Sequence, residues 1–398
     1  MSPGSGREPG ARRRVAALAV ALFVYGFGEE LWSRFLPEYL RTLGASALVL
    51  GAYGTLRDLL DAAYAYPGGV LSDRLGSSRA LLLFGALTTI GIACYLTWSS
   101  ISAIFAGLFL VMAWRSLGLP ASFALIAEEL RGGKRLVGFT VQAVVKRVPI
   151  VLAPPLGGLL IERFGMRGGL RLGFAISLLL SVAMLLGLWR AFRLRDEAKP
   201  VRSRPAAPVR LQPALRQLLV ADCLIRLCEG LPDVFLVVWA IEVVRVSPAQ
   251  FGVLVAVLTA TSILSYLPAA AFAERVERKP FVVLTYVFFT LFPVAVLCAT
   301  SFPGLVGAYV LGGLREIGEP ARKSLIVDLA DESARGRTVG LYYAIRGFAV
   351  AGAAAIGGVL WTFRPAFTFL AAAALGALGT AWAVLFLPAA RGAAWRRL

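Results

Sequence analysis

Twelve apolar stretches of roughly 20 residues follow one another along the chain, each closed by a short polar turn, and each is long enough for a helix to cross the ~30 Å hydrocarbon layer of a bilayer. They fall near residues 15–40, 47–72, 79–98, 101–128, 136–162 and 168–192, then 214–242, 248–273, 280–300, 302–329, 338–363 and 366–388. A soluble core cannot hide this much apolar surface. Of the 398 residues 58% are hydrophobic and the mean hydropathy is +0.75, against roughly 45–50% apolar content in soluble domains. Lipid offers backbone amides no partner, so every span is expected to be a helix. The first span follows Arg12, Arg13 and Arg14, which imitate the start of a signal peptide. No cleavage site follows, and the segment reads as a helix.

The net charge of +18 invites a nucleic-acid reading, which the placement of the charges excludes. Basic residues alternate between loops. About 25 lie in the amino-terminal tail, the turns after the second, fourth, eighth and tenth spans, the central loop and the carboxyl tail, against about 6 on the other side. This is the positive-inside pattern of a multi-pass plasma (inner) membrane protein with both termini cytoplasmic. The cysteines, Cys94, Cys223, Cys228 and Cys298, fall within apolar spans without metal-ligand spacing, and histidine is absent. No metal site or other cofactor is expected, and proton coupling must use carboxylates.

Sliding the chain by about 200 residues brings two halves into register. Gly51 falls near Gly252, Tyr66-Pro67 near Tyr266 and Pro268, Pro120-Ala121 on Pro320-Ala321, Leu125-Ile126 on Leu325-Ile326, and Gly157-Gly158 on Gly357-Gly358. Internal repeats of this size mark transporters built around a pseudo-twofold axis. The expected organisation is an amino-terminal six-helix bundle over 1–193, a Pro- and Arg-rich cytoplasmic linker over 194–213, and a carboxyl-terminal six-helix bundle over 214–398.

The turn after the second span reads Gly69-Val70-Leu71-Ser72-Asp73-Arg74-Leu75-Gly76-Ser77-Ser78-Arg79. It resembles the GxLaDRxGrr signature of the major facilitator superfamily, with Ser77 and Ser78 where the basic pair usually stands. A weaker echo, Ala271 to Lys279 with Glu274 and Arg275 at its centre, sits at the same offset in the second half. The resemblance implies the all-α membrane fold of that family, twelve transmembrane helices in two pseudo-symmetric six-helix bundles. It also implies a cytoplasmic gate at Gly69, Asp73, Arg74, Gly76, Glu274 and Arg275, with Asp73 and Arg74 as a latch. Two shorter elements resemble family motifs. Ala153-Pro154-Pro155-Leu156-Gly157-Gly158 is similar to the GPxxGG element of the drug/proton antiporter branch, with alanine for its first glycine, and it favours export. Arg115-Ser116-Leu117-Gly118 approximates the RxxqG element, one residue short, which implies a link between Arg115 and proton coupling.

A charge at the bilayer centre costs at least about 2.5–3.5 kcal/mol, so ionisable residues deep in the spans are functional candidates. Glu29, Glu30 and Arg34 lie in the first span, and Glu30 and Arg34, four apart, neutralise each other on one face. The seventh span carries Asp222, Arg226, Glu229 and Asp233, with Glu229 one repeat length from Glu29 and placed to face it across a central cavity. Glu29, Glu30, Glu229 and Asp233 are the proton-coupling candidates. Arg57 and Asp61, also four apart, join Arg115, Lys146, Arg226, Arg315, Glu319 and Arg346 as cavity candidates. Arg322, Lys323 and Asp328 read as gate or interface residues near enough to the cytoplasm to snorkel. Among aromatic residues, Tyr25, Trp32, Phe35, Tyr53, Trp239, Tyr342 and Tyr343 offer cavity lining, and Trp32 and Tyr343 stand nearest to arginines.

The function that follows is secondary active transport of a small organic solute by alternating access, coupled to protons and weakly favoured as export by antiport. The rival within transport is uptake or exchange of an anionic metabolite through an arginine- and lysine-lined cavity. A membrane sensor or embedded enzyme finds no support, since no nucleophile with a base, metal cluster or phosphate-cradling loop is present. The expected partners are the solute, protons and the lipid bilayer, with the chain acting as a monomer.

Overall fold

The computed structural model describes residues 8–118, 121–122, 125–126, 133–193, 211–273, 277–330 and 335–387. These are almost wholly helical and contain no strand. Helix α1 spans Glu8–Glu30 and continues through a 3-10 turn, Ser33–Phe35, into Leu36–Thr42. Ala47–Leu75 is α2, Ser77–Thr97 is α3, and Ile101–Met112 is α4, which widens into a π turn at Ala113–Leu117. Gly133–Phe192 runs on as α5 and α6 across a bend at Gly165, whose φ of 72° suits a residue without a side chain.

In the second half α7 spans Pro213–Gly230 and continues through the short turns Asp233–Phe235, Leu236–Val238 and Trp239–Val243. Pro248–Ala273 is α8 and Arg278–Cys298 is α9. Helix α10 is broken into Phe302–Leu314 and Glu319–Asp328, α11 into Arg335–Ala351 and Ala353–Phe363, and Pro365–Phe386 is α12. Twelve spans result, six in each half of the sequence.

The helices form two compact units, Met1–Gly44 with Leu60–Pro205, and Ala45–Leu59 with Ala206–Leu398. The start of α2 thus packs in the second unit, where a Cβ on Gly51 would lie 2.7 Å from the Ala354 carbonyl oxygen. Each unit has an aromatic core. In the first, Trp32, Tyr39, Tyr95 and Phe174 pack edge-on or tilted at centroid distances of 5.3 to 6.0 Å. In the second, Phe235 stacks on Trp361 at 4.7 Å, and Trp239, Trp361 and Phe369 pack edge-on or tilted at 5.0 to 6.4 Å. Large apolar side chains such as Leu179, Leu264, Phe363 and Leu385 stand outermost, an arrangement that is favourable against acyl chains.

The repeat extends to local detail. Ser100 caps α4 by accepting the Ala103 amide, and Ser301 caps α10 by accepting that of Gly304. A Cβ on Gly157 would meet the Leu31 carbonyl oxygen at 2.0 Å, and one on Gly357 that of Leu231 at 2.2 Å, so α5 lies directly on the end of α1 and α11 on that of α7. The breaks in α4 and α10 are braced alike. The Thr88 hydroxyl accepts the Trp114 amide at 2.9 Å, and the Thr285 hydroxyl accepts that of Gly318 at 2.6 Å. Amides freed by unwinding thus keep partners where lipid supplies none.

Candidate functional site

In the first unit the spans of α1, α4 and α5 line an open-sided cavity of about 210 Å³. Its wall comprises Leu22, Tyr25, Gly26, Glu29, Glu30 and Arg34 from the first span, Trp114, Arg115, Gly118 and Ser122 from the fourth, and Lys146 and Ile150 from α5. The two glutamates stand where α1 ends and tightens, and Arg115 sits in the π turn, a distortion that often re-aims functional side chains. Arg34 Nε donates to Glu30 Oε2 at 2.9 Å. Arg115 Nη1 lies 3.7 Å from Glu29 Oε1, an ion pair looser than a direct hydrogen bond. Lys146 has no carboxylate within ion-pairing distance among the described residues. The Tyr25 hydroxyl, buried in the wall, has no hydrogen-bond partner there.

The second unit gathers its charges differently. Asp222 and Arg322 are 0% and 2% exposed, and Arg322 Nη1 donates to Asp222 Oδ2 at 2.5 Å. The same carboxylate oxygen accepts the Tyr342 hydroxyl at 3.0 Å and Arg346 Nη1 at 3.2 Å. Arg322 also donates to Glu319 at 2.7 Å. Arg226 reaches Glu229 at 2.6 Å and Glu319 at 3.6 Å, and Arg315 lies 3.7 Å from Glu229. Phe289 and Phe292 stack against the Arg315 guanidinium at 4.8 and 4.5 Å.

The two clusters correspond at an offset of 200. Glu29 and Arg115 match Glu229 and Arg315, with the same 3.7 Å separation. Lys146 matches Arg346. Leu22, Ser122 and Gln142 stand where the second half has Asp222, Arg322 and Tyr342. Gln142 donates to Ser122 at 2.8 Å, a neutral contact in place of a buried ion pair.

Several sequence expectations meet a different arrangement. Arg57 does not pair with Asp61 along α2. It contacts its neighbour Asp58 at 2.9 Å and Asp233 at 2.6 Å, while Asp61 accepts the Ser116 hydroxyl at 2.5 Å. Asp233 is therefore held by a cation from α2. Trp32 is core: its indole N–H donates to Ser177 Oγ at 2.9 Å, and it is absent from the cavity wall. Arg322 does not snorkel, because Asp222 and Glu319 neutralise it in the interior. Glu29, which among the described residues has no basic partner within its own helix, is approached by Arg115 from the fourth span. Tyr343 lies beneath the Arg346 guanidinium at 4.6 Å.

Of the gate residues, Asp73 and Arg74 are exposed and form no ion pair among the described residues. Gly69 stands in open space, and Gly76 takes a φ of 82° at the start of α3. Glu274 and Arg275 lie outside the described residues. Leu22, Trp114, Ser122 and Gln142 were not singled out by the sequence, and only the fixed offset from charged counterparts marks three of them.

The model of the Major Facilitator Superfamily matches residues 18–228 and again 218–397. An uncharacterized MFS-type transporter of Methanocaldococcus jannaschii is 21% identical over 373 residues, covering 90% of this chain and 91% of the relative. The multidrug resistance protein MdtH of Edwardsiella ictaluri is 24% identical over 330 residues, covering 82% and 80%. Among solved structures, the peptide transporter POT in complex with sulfate superposes with a TM-score of 0.76 at 17% identity, covering 94% of each chain. With the family model matching almost the whole chain and twelve membrane helices, this chain belongs to the major facilitator superfamily and is a multi-pass membrane transporter of that family.

Proposed function

We propose that the chain is a proton-coupled secondary transporter of a small polar organic solute, which it moves by alternating access, with the first-unit cavity as the solute site and Glu29 as the proton-carrying carboxylate. One observation carries this reading: five charged side chains from three spans converge on one cavity within a membrane bundle. Charges there persist only by facing one another or a cargo. Glu29 is favoured over Glu30 and Glu229 because its ion pair is the loosest, 3.7 Å against 2.9 and 2.6 Å. A solute that draws Arg115 away leaves Glu29 to take up a proton, and the arginine's return expels it.

The volume of about 210 Å³ lies below the roughly 300–1,000 Å³ of drug-sized pockets and suits a small metabolite. Export by antiport is supported by the multidrug-resistance relative. Uptake or exchange of an anion is the second reading, supported by the excess of cations over carboxylates in the wall. In this proposal the bundles are residues 1–193 and 214–398, joined by a cytoplasmic linker, in a monomer of the inner membrane with both termini cytoplasmic. Asp73 and Arg74 serve the cytoplasmic gate, with Glu274 and Arg275 in the second half.

The test is flux into proteoliposomes under an imposed pH gradient, with panels of cationic and anionic solutes. Glu29→Gln is expected to abolish gradient-driven accumulation while solute exchange without a gradient continues. Gradient-driven accumulation at the wild-type rate in this variant overturns the assignment.

A further inference from the structure

The second unit shows what a cation at the position of Lys146 requires. There Arg346 is answered by Asp222, a fully buried carboxylate that also accepts the Tyr342 hydroxyl. Two cations, Arg322 and Arg346, and one phenol thus hold one carboxylate oxygen. In the first unit the cation is kept as Lys146, and a buried phenol, Tyr25, again lines the same wall with its hydroxyl unpaired among the described residues. The residue that breaks the pattern is Leu22, which stands where Asp222 does and is itself part of the cavity wall. Beside open volume the first half therefore presents one cation and a phenol, with Leu22 in place of the carboxylate and Ser122 in place of Arg322.

We propose that Lys146 and the Tyr25 hydroxyl receive the carboxylate, or an equivalent oxyanion, of the transported solute, which does in the first unit what the Asp222 side chain does in the second. The inference rests on the first-unit cavity being the solute site and selects an anionic or zwitterionic metabolite as cargo. The other charges of the wall fit this role. Arg34 is engaged by Glu30 and Arg115 by Glu29, which leaves the excess positive charge on Lys146. A charge-assisted bond to a cavity lysine is strong enough to set specificity, and an uncharged isostere forfeits it.

Trp114 lines the same cavity, so intrinsic fluorescence of the purified full-length chain reports binding. The probes are sulfate, succinate, dimethyl succinate and tetraethylammonium. Wild-type protein is expected to bind succinate or sulfate at least about tenfold more tightly than the ester or the cation, the equivalent of one lost charged hydrogen bond. Lys146→Met is expected to remove that preference, Lys146→Arg to keep it, and Tyr25→Phe to weaken it by less than the loss of Lys146. Leu22→Asp restores the missing carboxylate within the chain and is expected to suppress anion binding with Lys146 intact.

A wild type that prefers the ester or the cation, or binds none of the four, overturns the proposal. Anion binding unchanged in both Lys146→Met and Leu22→Asp does the same. Failure of gradient-driven flux with Lys146-dependent anion binding intact falls instead on the coupling role of Glu29. Intact flux with an indifferent Lys146 falls on this inference alone.

Discussion

The charged clusters of the two halves began as one pattern and have diverged in what answers their cations. In the second unit three carboxylates, Asp222, Glu229 and Glu319, are shared among four guanidiniums, each within reach of an acid. In the first unit two carboxylates face three cations, and the remainder falls on Lys146 beside open space. Lys323 also lies 3.4 Å from Glu319, so both clusters hold more cations than acids, and what separates them is how the charge is distributed. Under the proposal above, the saturated cluster holds the fold and the unsaturated one receives the cargo. The difference turns on three substitutions at corresponding positions, Leu22, Ser122 and Gln142 against Asp222, Arg322 and Tyr342.

The largest expected effect comes from breaking the saturated cluster. Arg322→Ser leaves Asp222 and Glu319 buried without their principal partner, a loss of about 3–5 kcal/mol for this type of site. Thermal unfolding in detergent is expected to show it directly. The double variant Asp222→Leu with Arg322→Ser copies the first-half pattern and is expected to recover part of that loss. It also frees Arg346, so anion binding should emerge in the second unit. A double variant no more stable than the single one breaks the comparison.

The scaffolds of the two halves, unlike their charges, are equivalent. Gly157→Val and Gly357→Val each force a side chain against a carbonyl only 2.0 or 2.2 Å from an ideal Cβ. Both are expected to cost about 1–3 kcal/mol or more, by similar amounts. Gly187→Ala, with nothing within 4 Å of its Cβ, is the control and is expected to leave the unfolding temperature nearly unchanged. The smallest effect is expected for Asp233→Asn. Arg57 and Asp233 are about a third exposed, and Arg57 also has Asp58. A double-mutant cycle between Arg57 and Asp233 should give about 0–1 kcal/mol. A value near that of the Arg322 site would show that the saturated cluster is not energetically distinct.

The spans were legible in the sequence because membrane thickness imposes a length that twenty apolar residues announce. The glycine pair in α5 and its copy in α11 were legible because the repeat kept them at one offset, and both lie against a neighbouring helix backbone. The ion pairs were legible only within a single helix. Glu30 and Arg34, four apart, meet as their spacing predicts. Arg57 passes over Asp61 for Asp233, 176 residues away, and Arg322 is buried because Asp222, 100 residues away, receives it. Helical periodicity says which residues share a face and nothing about what that face meets. The offset of 200 that aligned the glycines also aligns Arg115 with Arg315 and Lys146 with Arg346. Applied to neutral positions as well, it singles out Leu22 as the place where the copies disagree.

The bracing of the broken helices by Thr88 and Thr285 has a consequence for how such a protein diversifies. A hydroxyl contributed by the neighbouring helix takes over the loose amide, so the interruption beside Arg115 or Arg315 is held in part from outside, although Arg315 also donates to the Gly312 carbonyl at 2.7 Å. Spanning the bilayer and choosing a cargo are thereby assigned to different atoms. A lineage can exchange the displayed side chain and inherit a new chemical preference while the supporting architecture stays as it was.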